Sequence, residues 1–220
     1  RRVVTADFLD KSLSILDFDA LIAGADVASA RKKTLRLAQF APGPIELDVS
    51  KDGRTAIVAV GPGFFDNLGF VFGFPEVTGD GACLVVDLES DEVRTVQTAS
   101  APLGVALTPD ATRAYTANYG TQAARGHTVS QIDVGSASLV DEMDVGSGPE
   151  EIAIDDDGGL ALVNLAGEGG VRSFDTDLGA ASLSAVVPTS ADPSDIAIIA
   201  GVQRAVVANS REPGGYSVID

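Results

Sequence analysis

The chain has no tryptophan, one cysteine, one histidine, one methionine and four lysines in 220 residues. A single cysteine cannot close an intramolecular disulfide. Its place in the apolar run Ala82-Cys83-Leu84-Val85-Val86 marks Cys83 as a buried structural thiol. The single histidine, His127, cannot make a multi-histidine metal site, and Ser130 and Asp133 beside it in sequence do not make a triad without geometry. Basic residues are scarce, 15 Lys and Arg against 32 Asp and Glu, for a net charge of −17. Nucleic acid and anionic membrane surfaces are therefore poor partners, because a phosphate backbone is bound by a basic face. No apolar run approaches the ~18–20 residues of a membrane span, so no membrane insertion is expected. No signal-peptide pattern is present, but the chain opens on Arg1-Arg2 rather than Met, which leaves room for a leader or an upstream region. Also missing are a Gly-x-Ser-x-Gly elbow, a phosphate loop, a Cys pair and a haem-attachment Cys-x-x-Cys-His.

What is present is repetition. A Pro, an alternating apolar strand and an Asp-containing turn recur from Pro44, Pro102, Pro149 and Pro193, spaced by 58, 47 and 44 residues. A second strand follows each turn: Thr55 to Val60, Arg113 to Asn118, Leu160 to Asn164 and Arg204 to Asn209, with Arg2 to Asp7 matching it. A third strand ends in Asp each time, at Asp17, Asp87, Asp133, Asp175 and Asp220. Fourth strands are expected over Thr34 to Phe40, Val93 to Thr98, Leu139 to Val145 and Ser182 to Val187. Four short strands per unit form the signature of a propeller blade, since one twisted sheet cannot bury both faces without neighbours. The expected fold is all-β, a β-propeller of four-stranded antiparallel blades with about five part-blades, forming one domain over 1–220. Its units are 1–40, 41–98, 99–145, 146–187 and 188–220. Alternation at Val105/Leu107 and Ile152/Ile154 predicts strands buried mainly on one face, and the run Ile196 to Ile199 predicts burial on both.

The unit Pro102-Leu-Gly-Val-Ala-Leu-Thr-Pro-Asp-Ala-Thr-Arg-Ala-Tyr-Thr-Ala-Asn118, followed by Thr128-Val-Ser-Gln-Ile-Asp133, resembles the YVTN-type propeller repeat. The likeness is sharp in this unit and worn elsewhere: Val60 stands where Asn is expected, and a hairpin one residue shorter places Asn164. The resemblance implies a propeller, commonly of seven blades, in prokaryotic proteins that are often secreted or attached to the cell surface. The strand tally of three, four, four, four and three leaves two blades incomplete. It points to a fragment of a larger propeller, or to a ring closed by further chain or a partner.

Two insertions stand out. Residues 61–80 carry Phe64, Phe65, Phe70, Phe72 and Phe74, and read either as a ligand- or partner-binding patch near the channel mouth or as a satellite core. Residues 19–33, Ala-rich with an acidic start and a basic end, suit a short helix. At the channel mouth, Asn118, Asn164 and Asn209 are candidate ligand contacts, and Glu150, Glu151, Asp192 and Asp195 are candidate metal ligands. Oxygen donors converging from several blades could hold Ca²⁺; the competing reading is that such residues cap turns. Asp155-Asp156-Asp157-Gly158 lacks the spacing of a calcium loop and reads as a solvated hairpin.

Three functions are compatible with this pattern. The favoured one is a non-catalytic binding or scaffold propeller, extracytoplasmic in a prokaryote (periplasmic, cell-surface or secreted), with no resident cofactor and a protein or small-molecule partner at the mouth. A divalent-metal-dependent hydrolase or lactonase is the alternative. The propeller subunit of a redox complex is third.

Overall fold

The computed structural model describes residues 1–40, 43–61, 81–99, 101–121, 124–189, 192–202, 204–211 and 214–220. Among them lie five antiparallel sheets. The first pairs β1 (Arg2–Asp7), β2 (Ser12–Asp17) and β3 (Arg31–Arg36). The second holds β4 (Pro44–Val49), β5 (Thr55–Val60), β6 (Ala82–Asp87) and β7 (Val93–Gln97). The third holds β8 (Val105–Leu107), β9 (Arg113–Gly120), β10 (Arg125–Asp133) and β11 (Ser138–Asp144). The fourth holds β12 (Pro149–Ile154), β13 (Leu160–Leu165), β14 (Gly170–Asp175) and β15 (Val187–Pro188). The fifth holds β16 (Pro193–Ile199), β17 (Arg204–Asn209) and β18 (Gly215–Ile219). Within each sheet the strands follow chain order, and the leading strands β1, β4, β8, β12 and β16 lie side by side in succession. This is the all-β propeller arrangement, with meandering sheets stacked through their faces around an inner edge of leading strands.

The core is built from four apolar clusters, one between each successive pair of sheets. Leu13, Ile15, Val58 and Leu84 join the first two sheets, and Ile57, Val85, Val105 and Ile132 the second and third. Tyr115, Val129, Phe174 and Leu165 join the third and fourth, and Leu162, Val171, Ile196 and Val207 the fourth and fifth. Period 2 explains the partition: in β5, Ala56, Val58 and Val60 face the first sheet while Ile57 and Ala59 face the third. Among the described residues no cluster joins the fifth sheet to the first, so the stack is an open arc.

Position in that arc reverses two expectations. Val105, Ala106 and Leu107 are all buried, because β8 has a sheet against each face. In β16, Asp195, Ala197 and Ile199 are exposed, because the described residues cover only one face of the fifth sheet.

At Asp17, Asp87, Asp133 and Asp175 the Asp that ends the third strand is a turn cap. Asp87 Oδ1 accepts from the backbone N–H groups of Glu89 and Ser90, and Asp175 Oδ1 from those of Asp177 and Leu178. Asp17 does the same for Asp19 and Ala20, and there it caps a helix, α1 (Phe18–Ile22). The expected helix over 19–33 is instead two short pieces, α1 and α2 (Val27–Ala30), parted at Gly24, whose φ of 92° suits glycine. The basic end belongs to β3, where Lys32 pairs with Asp17 and Lys33 with Asp91. The strand expected over Thr34 to Phe40 therefore begins at Arg31 and gives way to a 3₁₀ turn at Ala38–Phe40.

The fourth strand expected at Ser182 to Val187 is mostly replaced by side-chain bonding. A 3₁₀ turn spans Gly179–Ser182, Ser182 Oγ accepts from Asp175 N, and Ser184 Oγ accepts from Ser173 N. Serine hydroxyls take bonds a ladder would otherwise supply, leaving only two residues in β15.

Cys83 has no exposed surface, and burial pushes its thiol up to about 12. We expect no reaction with a disulfide reagent at pH 8 in the folded chain and one equivalent on denaturation. Fast labelling of native protein would contradict this packing.

Candidate functional site

Each leading strand of the second, fourth and fifth sheets starts with Pro, and two positions later stands a carboxylate: Glu46, Glu151 or Asp195. Gly104 holds the same place after Pro102 in the third sheet. In β4, β12 and β16 the register slips at this position, between Pro44 and Glu46, Pro149 and Ile152, and Pro193 and Asp195. A bulge of this kind re-aims the side chain. The carboxylates then bond to the next backbone N–H: Glu151 Oε1 to Ile152 N (2.9 Å) and Asp195 Oδ1 to Ile196 N (2.8 Å). Asp48, farther along β4, is bonded to Val49 N (2.7 Å) and also reaches Leu107 N of the third sheet (2.8 Å).

Glu46 and Glu151 approach one another across the third sheet, near enough for their carboxyls to act on each other. Gly104 makes this approach feasible: a Cβ there would lie 2.7 Å from Glu150 O, Glu151 Cα and Glu151 Oε1. The close approach is fixed by Gly104 N donating to Glu150 O (2.9 Å). Burial raises the carboxyls of both Glu46 and Glu151, and the charge of Glu46 raises Glu151 further.

Beside this pair lies a second group. Glu150 is pushed up to about 7, first by burial and then by the charge of Asp192, with Arg125 opposing. The Arg125 guanidinium sits 5.7 Å from the centre of the Tyr119 ring, and its buried Nη1 has no hydrogen-bond partner. Asp192, at φ 63°, accepts at its backbone carbonyl from Ser210 N, and its carboxylate lies 3.6 Å from Arg211 Nη2.

The asparagines are held within their sheets. Asn118 Nδ2 donates to Thr128 and Ser130, and Asn209 Nδ2 to Ser217 and the carbonyl of Val207. Asn164 is not their equivalent. Asn118 and Asn209 pair with residues five before the closing Asp, Thr128 and Gly215, whereas Asn164 pairs with Val171, four before Asp175. One step of register turns its side chain to the opposite sheet face, and Leu165 takes the equivalent place. There Asn164 Oδ1 accepts from Glu151 N (2.5 Å) and supports the bulge, while its buried Nδ2 has no partner.

The structure thus brings Glu150, Glu151, Asp192 and Asp195 into one electrostatic neighbourhood, and adds Glu46, Asp48, Arg125 and Tyr119, which sequence reasoning missed. Glu46 was recoverable from its place two residues after a repeat Pro. Arg125 carried no such signal. Among the described residues no three His, Cys, Asp or Glu side chains are grouped to hold a metal ion. His127 is exposed on β10. The Phe-rich insertion, with Phe64, Phe65, Phe70, Phe72 and Phe74, lies outside the described residues.

No family model and no curated protein matches the chain. In structure it is similar to Kuenenia stuttgartiensis hydrazine synthase, with a TM-score of 0.54 and 16% identity over 99% of this chain and 80% of that one. Altogether 921 chains of known structure match, and at 16% identity the likeness speaks for the fold alone.

Two outcomes are expected. Gly104→Ala forces the inner strands apart and lowers stability by about 1–3 kcal/mol in urea unfolding; an unchanged midpoint would contradict the close approach. Raised carboxyls bind protons more tightly in the folded chain, so their stabilisation is complete below the ordinary Glu range and is lost as pH rises; for Glu150 that loss runs from 4.5 to about 7. The lowered carboxyls of Asp87, Asp110 and Asp133, held by turn hydrogen bonds, act oppositely and lose their contribution as pH falls below 3.8. Stability measured against pH should peak near the ordinary Glu range, and Glu150→Gln should flatten its alkaline limb.

Proposed function

We propose that the chain is a non-catalytic binding or scaffold propeller acting outside the cytoplasm of a prokaryote, which takes its partner at the inner mouth through amine, guanidinium or hydroxyl groups. The observation that carries the reading is the convergence of Glu46 and Glu151 over Gly104, with Asp195 at the same repeat position. Burying carboxyls near one another costs stability, and desolvated titrating groups in a concave region are a mark of ligand sites. Glu151 and Asp195, and Asp48 beside them, are anchored on the next backbone N–H groups, an arrangement that presents fixed oxygens to a donor. The resemblance to YVTN-type repeats and the net charge of −17 support a secreted or surface location.

The test is thermal unfolding with spermidine in 0.3 M salt, which screens diffuse attraction. Stabilisation of the wild type, lost in Glu46→Gln/Glu151→Gln/Asp195→Asn, is expected by linkage. Equal shifts in both proteins would refute the mouth as the binding place. Stabilisation by Ca²⁺ or Mg²⁺ together with lactone turnover would replace this reading by the hydrolase.

A further inference from the structure

Arg1, Arg113 and Arg204 each meet a carboxylate, at 2.7, 2.6 and 2.6 Å, and Arg94 donates to the carbonyls of Val134 and Gly135. Among the described residues Arg125 forms no such pair. Its guanidinium lies 5.7 Å from the centre of the Tyr119 ring, and its side chain passes over Gly148. A Cβ on Gly148 would stand 3.0 Å from Arg125 Nη1 and 3.2 Å from its Cδ, and at φ 66° the backbone there suits glycine. Gly148 N donates in turn to Gly126 O (2.9 Å), which ties the start of β10 to the loop before β12. A ring and a glycine thus fix a half-buried guanidinium whose buried Nη1 has no acceptor. A part-buried cation is costly to keep without a bonded partner, and this one is set to receive an anion from outside.

Gly148 leads directly into Pro149-Glu150-Glu151, so the Arg125 head and the mouth carboxylates share one end of the fourth sheet. A second unused donor stands there: Asn164 has no exposed surface, its Oδ1 accepts from Glu151 N, and its Nδ2 has no partner. Two carboxyls oppose an anion beside Arg125. Asp192 acts on Glu150 and Tyr119 as Arg125 does, but lies 3.6 Å from the Arg211 guanidinium. Glu150, pushed up to about 7, is half protonated at neutrality and opposes an anion only in part. A simple carboxylate would also be repelled by Glu46, Glu151 and Asp195. A simple amine would be repelled by Arg125 and would leave its donors unused. A molecule that carries both charges meets both demands.

We propose that the ligand of the mouth is a zwitterion, an ω-amino carboxylate whose carboxylate is taken by Arg125 and whose ammonium reaches the oxygens of Glu46, Glu151 and Asp195. The inference rests on the reading of the mouth given above and adds the acidic half of the ligand. Three extended residues carry the chain from Gly148, under Arg125, to Glu151, a reach of roughly 10 Å. That reach suits charges parted by several carbons better than the adjacent charges of an α-amino acid. Because Tyr119 and Gly148 already hold the guanidinium, its planar fork gives up little freedom when a carboxylate binds.

The experiment compares 6-aminohexanoate, hexylamine and hexanoate by titration calorimetry on the whole chain at pH 7. The zwitterion should bind at least roughly tenfold more tightly than hexylamine, with hexanoate weakest. Arg125→Gln should bring 6-aminohexanoate down to the affinity of hexylamine without weakening hexylamine itself, a split that a merely structural arginine would not produce. Arg125→Lys, which keeps the charge and loses the fork, should restore part of the gap. Glu46→Gln/Glu151→Gln/Asp195→Asn should weaken both ammonium probes. A zwitterion no tighter than hexylamine, or a gap that survives Arg125→Gln, would overturn this inference and leave the mouth reading standing, provided hexylamine binding is lost in the triple variant. Binding of both ammonium probes undiminished in that variant, or no binding of any probe, would overturn the two together. Were Arg125→Gln to unfold, by circular dichroism, the ranking of the three probes on the wild type and on Arg125→Lys decides.

Discussion

Sheets with apolar residues on both faces can be buried only by other sheets, and each must be covered twice. Everything else in this chain answers to that demand. It explains why β5 sends Ala56, Val58 and Val60 one way and Ile57 and Ala59 the other, and why Tyr115, Phe174 and Met143 fill one gap while Ile57 and Ile132 fill the next. With full burial of a large side chain worth roughly 1.5–3 kcal/mol, four such clusters outweigh the surface ion pairs, which are mostly exposed.

Stacking sheets in this way also brings their leading strands together, and there the chain departs from apolar packing. Bulges next to Pro44, Pro149 and Pro193 re-aim a carboxylate each, and Gly104, at the same place in the third sheet, lets Glu46 and Glu151 approach. A leucine could satisfy β4 or β12 without desolvating charge. The placement of Glu46, Glu151 and Asp195 at equivalent positions therefore argues for use rather than support, and the Asn164 bond to Glu151 N shows a second layer holding the first in place.

The fourth and fifth sheets show what happens when the repeat weakens. Where the third sheet has Arg113 and Tyr115, the fourth has Leu160 and Leu162, and its interface with the fifth is left to Leu162, Val171, Ile196, Ala205 and Val207.

Much of the fold was legible in the sequence because it is local and periodic. Pro, alternating apolar residues and a closing Asp fix strand lengths and turns through backbone geometry and short-range hydrogen bonds, so Arg2–Asp7 and Thr55–Val60 could be bounded from sequence. Where a side chain competes with the ladder, as Ser182 and Ser184 do, periodicity misleads. Register was legible only to within a residue, and one residue sufficed to misplace Asn164, because a single step exchanges the faces of a strand. The approach of Glu46 to Glu151 and that of Arg125 to Tyr119 are set by how neighbouring sheets stack. They depend on residues some 100 apart in the case of Glu46 and Glu151, a separation at which sequence carries composition but not distance.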